Sequence, residues 1–174
     1  MLSVKELHRI AGSMKGPEFA RQLGPFALVQ RPPDAVTQAR SMQLGHKRTV
    51  AMKRDEHHDE VSLLFEFDDL MVATLPPVEP GECLSVGRAP DCDLVIDDPS
   101  VSKHHATLEW DGGSRQVVVE DQKSSNGTHL NGEQLQMKMG AKDGDTLTFG
   151  EARFCVLLAE TLYLKLTTGR FRAG

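Results

Sequence analysis

Residues 106–120 carry the sequence Ala106-Thr-Leu-Glu-Trp-Asp-Gly-Gly-Ser-Arg-Gln-Val-Val-Val-Glu120. Two short apolar runs stand on either side of Asp111-Gly112-Gly113. Aspartate and glycine tolerate the positive φ angles that tight turns between antiparallel strands require. This stretch therefore predicts a β-hairpin.

The same pattern of short apolar runs and turn residues extends in both directions along the chain. Short apolar runs alternate with turn residues, which is typical of an antiparallel β-sandwich. Turn signals include Pro80-Gly81, Asn131-Gly132 and Asp143-Gly144. Strands are predicted at 70–75, 83–86, 94–96, 106–110, 117–120, 146–149 and 154–158, and residues 161–166 are a candidate for a last strand.

The first third of the chain has a different pattern. Val4, Leu7, Ala11 and Met14 recur at helical spacing and predict a short amphipathic helix. Residues 18–23 predict a second short helix, and residues 35–60 are polar and without periodicity. We therefore take 1–60 as an N-terminal extension of short helices and a flexible linker, 61–169 as the sandwich domain and 170–174 as a tail. The apolar stripe either docks on the following domain or recruits a partner, and the sequence leaves both open.

Composition excludes several classes of function. The net charge of −5 argues against a general nucleic-acid surface. No apolar stretch is long enough for a bilayer span and the N-terminus lacks a secretory pattern, so we expect a cytoplasmic protein without a membrane partner. Three scattered cysteines argue against a disulfide framework and a zinc site, and His57-His58-Asp59-Glu60 is expected to be a solvated loop. We expect neither a metal nor a cofactor.

Three loop segments carry a set of side chains suited to an anion. They contain Arg88, Ser102, Lys103, Ser125 and Asn126. A guanidinium, an ammonium, hydroxyls and an amide match the charge and the acceptor oxygens of a phosphate monoester. A serine hydrolase is disfavoured, because no nucleophile stands with a base and an orienting acid. We therefore expect a binding protein and not an enzyme.

The motifs in these loops occur in a fixed order. Gly87-Arg88 comes first, Ser102-x-x-His105 follows, and Ser124-Ser125-Asn126-Gly127-Thr128 with Asn131-Gly132 comes last. This arrangement resembles the signature of the forkhead-associated (FHA) domain, over residues 70–158, and is similar to small bacterial proteins of that family. The resemblance implies a sandwich of about eleven strands that binds phosphothreonine peptides through loops at one end.

The resemblance also implies a role for each residue. Arg88 and Ser102 would hold the phosphate, with Lys103 and Ser125 beside them, and Asn126 would bind the peptide backbone. Five further residues would support the loops without touching the ligand, and they are Gly87, His105, Gly127, Thr128 and Asn131.

The function implied is that of an adaptor in Ser/Thr protein kinase signalling. Its partner would be a phosphothreonine-containing protein or a kinase. Thr49, in the N-terminal third, is a candidate phosphoacceptor whose phosphorylated form would occupy the chain's own site. The alternative is a phosphate-independent assembly scaffold built on the same sandwich.

Overall fold

The computed structural model describes residues 1–31, 70–75, 79 and 81–168. These residues form twelve strands and three helices. The strands are β1 (Leu2–Ser3), β2 (Phe26–Arg31), β3 (Met71–Thr74), β4 (Cys83–Gly87), β5 (Leu94–Val95), β6 (Ala106–Asp111), β7 (Gln116–Asp121), β8 (Thr128–Leu130), β9 (Glu133–Gln134), β10 (Met139–Ala141), β11 (Thr146–Phe149) and β12 (Ala152–Leu158). The helices are α1 (Val4–Ser13), α2 (Gly16–Leu23) and α3 (Ala159–Thr168). None of these three helices has the length and apolarity needed to cross a membrane.

Two sheets form the sandwich. The larger has the strand order β1-β3-β2-β12-β11-β8-β9, and the smaller has the order β10-β7-β6-β4-β5. Every strand pair is antiparallel except β4 and β5, which are parallel. The predicted β-sandwich is confirmed, with twelve strands in the described residues.

The hairpin predicted for residues 106–120 joins β6 to β7. Leu108 pairs with Val119, and Asp111 pairs with Gln116 across the turn. The Asp111 carboxylate accepts hydrogen bonds from the Gly113 and Ser114 amides, which stabilises the turn. Alternate residues of both strands are buried, so one face of the hairpin points into the sandwich.

The main core fills the space between the two sheets. Its largest fully buried side chains include Phe149 and Phe154 from the larger sheet and Leu108 from the smaller one. The rings of Phe149 and Phe154 lie 6.0 Å apart, and Phe149 also contacts the ring of His105 edge-on at 5.8 Å. The core therefore reaches directly beneath the loop that carries His105.

A second core lies on the outer face of the larger sheet. Val4, Leu7 and Phe19 of the N-terminal helices are fully buried there, against Val29 of β2 and Leu162 of α3. Of the two possibilities for the N-terminal apolar stripe, docking on the domain is the one observed. The two predicted N-terminal helices are also observed, and the Ser3 hydroxyl and Glu6 carboxylate cap the first one reciprocally.

The expected N-terminal extension differs from the structure in one respect. Strand β2 lies within the larger sheet between β3 and β12, and its six residues pair with 153–158 of β12. Residues 26–31 therefore belong to the sandwich and not to a separate segment. The proposed division at residue 60 falls among residues 32–69, which lie outside the described residues, as does the expected tail.

The candidate last strand at 161–166 is wrong, because this segment is part of helix α3. Leu162 and Leu166 stand four residues apart, on one helical face, and both are buried in the second core. Leu164 between them is 58% exposed. The Nδ1–H of buried His8 donates to the Leu166 carbonyl at 2.7 Å, which fastens the end of α3 to α1.

Candidate functional site

Three loops meet at one edge of the sandwich. They are the β4–β5 loop, the β5–β6 loop and the β7–β8 loop. The Arg88 amide donates to the Ser102 carbonyl at 3.0 Å, and the Ser125 amide donates to the Ser102 hydroxyl oxygen at 3.0 Å. The five residues predicted to contact the ligand therefore lie on loops that are hydrogen-bonded to one another.

Both predicted cations of the site are exposed. Nε of Arg88 donates to the Val101 carbonyl at 3.2 Å, which fixes the side chain's direction. Within the described part of the chain, the outer guanidinium nitrogens of Arg88 and Nζ of Lys103 have no hydrogen-bond partner. Those donors are available to an anion.

Ser102 is half-buried where the loops cross. Its hydroxyl oxygen accepts the bond from Ser125, which leaves the hydroxyl hydrogen free to donate. Ser125 itself is exposed. The site thus presents one oriented hydroxyl donor beside the guanidinium.

Asn126 is anchored through the nitrogen of its side-chain amide. Its Nδ2 donates to the Ser100 carbonyl at 2.8 Å. The side chain is exposed, and its Oδ1 has no partner among the described residues. An amide held in this way can accept a hydrogen bond from the backbone of a bound peptide.

His105 connects two of the loops from inside. It is fully buried, its Nδ1 accepts from the Ser102 amide at 3.0 Å, and its Nε2–H donates to the Gly127 carbonyl at 3.0 Å. Burial lowers the pKa of His105, which favours the neutral ring that this pair of bonds requires. Neither ring nitrogen is free to act as a base, which agrees with the supporting role predicted for this residue.

Gly87 allows the β4–β5 loop to approach the β5–β6 loop closely. A Cβ at this position would overlap the Lys103 carbonyl oxygen and lie 3.0 Å from Sγ of Cys92. Any larger residue would push the Arg88 backbone away from Ser102.

Gly127 and Thr128 support the third loop. Gly127 has a φ of 80°, and a Cβ there would lie 2.6 Å from Nε2 of Gln134. The buried hydroxyl of Thr128 donates to the Asp121 carboxylate at 2.7 Å. Both residues thus shape the loop that carries Asn126.

Asn131 is not part of this cluster of loops. It lies at the other end of β8, in the two-residue turn to β9, with a φ of 51° followed by Gly132 at 88°. Its side chain accepts from the Thr146 amide and donates to Asp145, so it stabilises a neighbouring turn.

Sequence reasoning missed the part that Asp121 plays in the site. Its carboxylate accepts from the Ser124 amide at 3.0 Å and from the Ser124 hydroxyl at 2.6 Å, in addition to Thr128. Burial raises the pKa of Asp121, but these hydrogen bonds outweigh it, and the pKa lies below its ordinary value. The signal in the sequence was an aspartate three residues before a serine in a loop, which is a common turn pattern.

Ser100 was also missed. Its carbonyl holds Asn126, and its hydroxyl oxygen accepts from the Glu151 amide at 2.9 Å. The next bond, from the Gly150 amide to the Gly127 carbonyl at 3.1 Å, joins the β11–β12 turn to the same edge. A fourth loop therefore supports the site.

Other candidates from the sequence lie elsewhere. Thr49 and the pair His57-His58 are outside the described residues. The three cysteines are free thiols, with Cys83 exposed and Cys92 and Cys155 buried.

Comparison with known proteins gives the same family as the motifs. Residues 84–150 match the family model of the FHA domain. The chain is 41% identical to the glycogen accumulation regulator GarA of Mycolicibacterium smegmatis over 73 residues, which are 42% of this chain and 44% of GarA. It is 36% identical to the oxoglutarate dehydrogenase inhibitor of Corynebacterium jeikeium over 76 residues, which are 44% of this chain and 51% of that protein.

The chain thus spans about half the length of these curated relatives. Among solved structures, the FHA domain of the CT664 protein from Chlamydia trachomatis superposes with a TM-score of 0.50 at 18% identity. That superposition covers 77% of this chain and 97% of the other, and it supports the fold. Together with the ordered motifs and the two-sheet topology, these matches identify residues 84–150 as an FHA domain.

Proposed function

We propose that the loop edge binds a phosphothreonine-containing peptide. The observation that carries this proposal is the grouping of Arg88, Ser102 and Asn126 on three loops, of which the β5–β6 loop is hydrogen-bonded to each of the other two. Each of the three side chains keeps a donor or acceptor without a partner among the described residues. The phosphate would accept from the guanidinium and from the serine hydroxyl, with Lys103 adding charge. Asn126 would accept a hydrogen bond from the peptide backbone beside the phosphate.

The preorganised loops make this edge suited to a small dianion. The Arg88 and Ser125 amides and the His105 ring are all committed to internal hydrogen bonds. Binding therefore costs little ordering of the backbone, and charge-assisted bonds contribute most of the affinity.

The direct test is binding of an oriented phosphothreonine peptide library to the full chain, followed by fluorescence anisotropy with the selected peptide. Arg88→Ala should weaken binding at least about tenfold, since hydrogen bonds to a charged group are worth about 1.5–3 kcal/mol. Arg9→Ala is the matched control, because Arg9 is an exposed arginine on α1. Equal binding by Arg88→Ala and the wild type would defeat the proposal.

We further propose that Thr49 regulates this site when phosphorylated. Residues 32–69 connect β2 to β3, and Arg31 at the end of β2 pairs with Arg153. Arg153 is two residues from Glu151, which contacts Ser100 of the site. Arg31, the last described residue before Thr49, therefore lies on the strand pair that leads to the loop edge.

The length of chain available is ample. Thr49 is eighteen residues beyond Arg31, and an extended chain reaches about 3.3 Å or more per residue. Phosphorylated wild type should bind added phosphopeptide more weakly than Thr49→Ala treated with the same kinase. Equal affinities would contradict self-regulation and leave the binding proposal intact.

The role that follows is that of an adaptor in Ser/Thr kinase signalling, in the cytoplasm and without catalysis of its own. Its partner would be a phosphorylated protein or the kinase. A scaffold that ignores phosphate is the competing function. Pull-downs before and after phosphatase treatment separate the two, because a scaffold would retain its partners after treatment.

A further inference from the structure

Three side chains with metal-binding atoms meet beside the loop edge. They are Asp91 and Cys92 of the β4–β5 loop and His104 of the β5–β6 loop. One ligand atom from each lies within 4.8 Å of the other two. No short-range motif predicts this grouping, since His104 is twelve residues from Cys92 and the chain has no CxxC spacing.

The sulfur and the imidazole already stand at a distance that suits zinc. Sγ of Cys92 is 3.7 Å from Nδ1 of His104. A tetrahedral zinc ion, with a bond of about 2.3 Å to sulfur and about 2.0–2.1 Å to nitrogen, separates those two atoms by about 3.6 Å. The separation of the two atoms therefore matches that of two ligands of one zinc ion.

The carboxylate of Asp91 is the adjustable third ligand. In the structure its Oδ2 lies 3.9 Å from Nε2, the ring nitrogen of His104 that does not face Cys92. The Asp91 side chain is 72% exposed, so rotation of that side chain can bring the carboxylate to an ion held by Sγ of Cys92 and Nδ1 of His104. The open side leaves room for water as a fourth ligand.

The loop around Cys92 is held rigidly. The Cys92 amide donates to the Ala89 carbonyl at 3.2 Å, and the next residue, Asp93, accepts from the Ser85 amide and hydroxyl at 2.8 and 2.7 Å. Cys92 is only 7% exposed, and its thiol donates to the Lys103 carbonyl at 3.3 Å. The sulfur therefore has a fixed position from which to bind an ion.

We propose that Asp91, Cys92 and His104 form a binding site for one Zn²⁺ ion, with water completing the coordination. A thiolate and an imidazole favour zinc over magnesium or calcium, which prefer oxygen ligands. Binding displaces the Cys92 thiol proton to solvent, so the net charge of the loops rises by one beside Lys103.

The test uses Co²⁺ as a spectroscopic substitute for zinc on the reduced, chelator-treated full chain. Binding through Cys92 should give a thiolate-to-cobalt charge-transfer band that saturates at one equivalent and disappears when Zn²⁺ is added. Cys92→Ala should abolish the band. His104→Ala and Asp91→Ala, which replace exposed side chains, should weaken cobalt binding by at least about tenfold.

Matched controls distinguish this site from other ligands on the chain. Cys83→Ala removes the exposed cysteine on β4, and His57→Ala with His58→Ala removes the histidine pair of the N-terminal third. Both controls should keep the band. Absence of the band in the wild type, or its persistence in Cys92→Ala, would overturn the proposal. Neither result depends on phosphopeptide binding.

Discussion

Replacement of His105 by phenylalanine tests how the loop edge is held together. The ring is fully buried, with its Nδ1 bound to the Ser102 amide and its Nε2 to the Gly127 carbonyl. Phenylalanine keeps an aromatic ring against Phe149 but offers neither nitrogen. His105→Phe therefore removes both hydrogen bonds while it preserves most of the packing.

The two lost bonds have different costs. The Ser102 amide is left without an acceptor in a partly buried position, which costs about 1–3 kcal/mol. The Gly127 carbonyl still accepts from the Gly150 amide after the substitution. Removal of the bond from His105 therefore costs only the net contribution of one hydrogen bond, about 0.5–1.5 kcal/mol. The free energy of unfolding should thus fall by about 3 kcal/mol, a large share of a typical domain's stability.

The assay is urea denaturation of the full chain, with chelator present so that metal binding does not contribute. His104→Phe is the matched control, since the adjacent histidine is 62% exposed. An exposed substitution of this kind should change stability by no more than about 0.5 kcal/mol. If the two variants unfold at the same urea concentration, the histidine does not brace the loops and the reasoning fails.

Three further predictions concern other parts of the molecule. A chain that lacks residues 1–60 loses β2 from the middle of the larger sheet, together with helices α1 and α2. It should show no cooperative thermal transition by circular dichroism, and a sharp transition near that of the full chain would refute this. In metal-free native protein, a thiol reagent should modify exposed Cys83 rapidly and Cys155 only after unfolding, because burial raises the pKa of Cys155 to about 12. Rapid modification of Cys155, located by mass spectrometry, would contradict its burial. Asp121 has a lowered pKa, so its contribution to stability is present above about pH 4 and is lost as the pH falls through the folded-state pKa. Asp121→Asn should therefore reduce the acid sensitivity of unfolding, and an unchanged pH profile would count against the carboxylate's role.

The sequence predicted the sandwich and the site loops well because their signals are local. The turn at Asp111 and the turn at Asn131-Gly132 each depend on residues that are neighbours in the chain. The loop motifs lie within three short blocks, and the structure places all five predicted ligand-contacting residues on loops joined directly by the bonds of Ser102. Their ligand contacts remain predictions.

Helix α3 shows how a local pattern can mislead. Leucines at 162, 164 and 166 alternate with polar residues or tyrosine, which is the pattern of a half-buried strand. The first and last of these leucines also lie on one helical face, and the helices α1 and α2 supply the surface that buries them. Packing therefore decided between two structures that the sequence alone allowed, and Leu164 was left exposed.

Strand β2 and the metal-ligand cluster were missed for a related reason. Phe26, Ala27, Leu28 and Val29 are all buried, because the main core covers one face of the strand and the helical layer covers the other. Such a strand has no alternation for a periodicity argument to detect, and its partner β12 lies more than 120 residues further along the chain. Likewise, Cys92 and His104 meet only because Gly87 lets their loops approach. Contacts of this kind depend on the folded arrangement. The helical layer on the outer face of the larger sheet and the proposed zinc site are therefore visible only in the structure. Both features lie beside residues of the proposed functions, since β2 precedes Thr49 in the chain and the cluster adjoins Lys103.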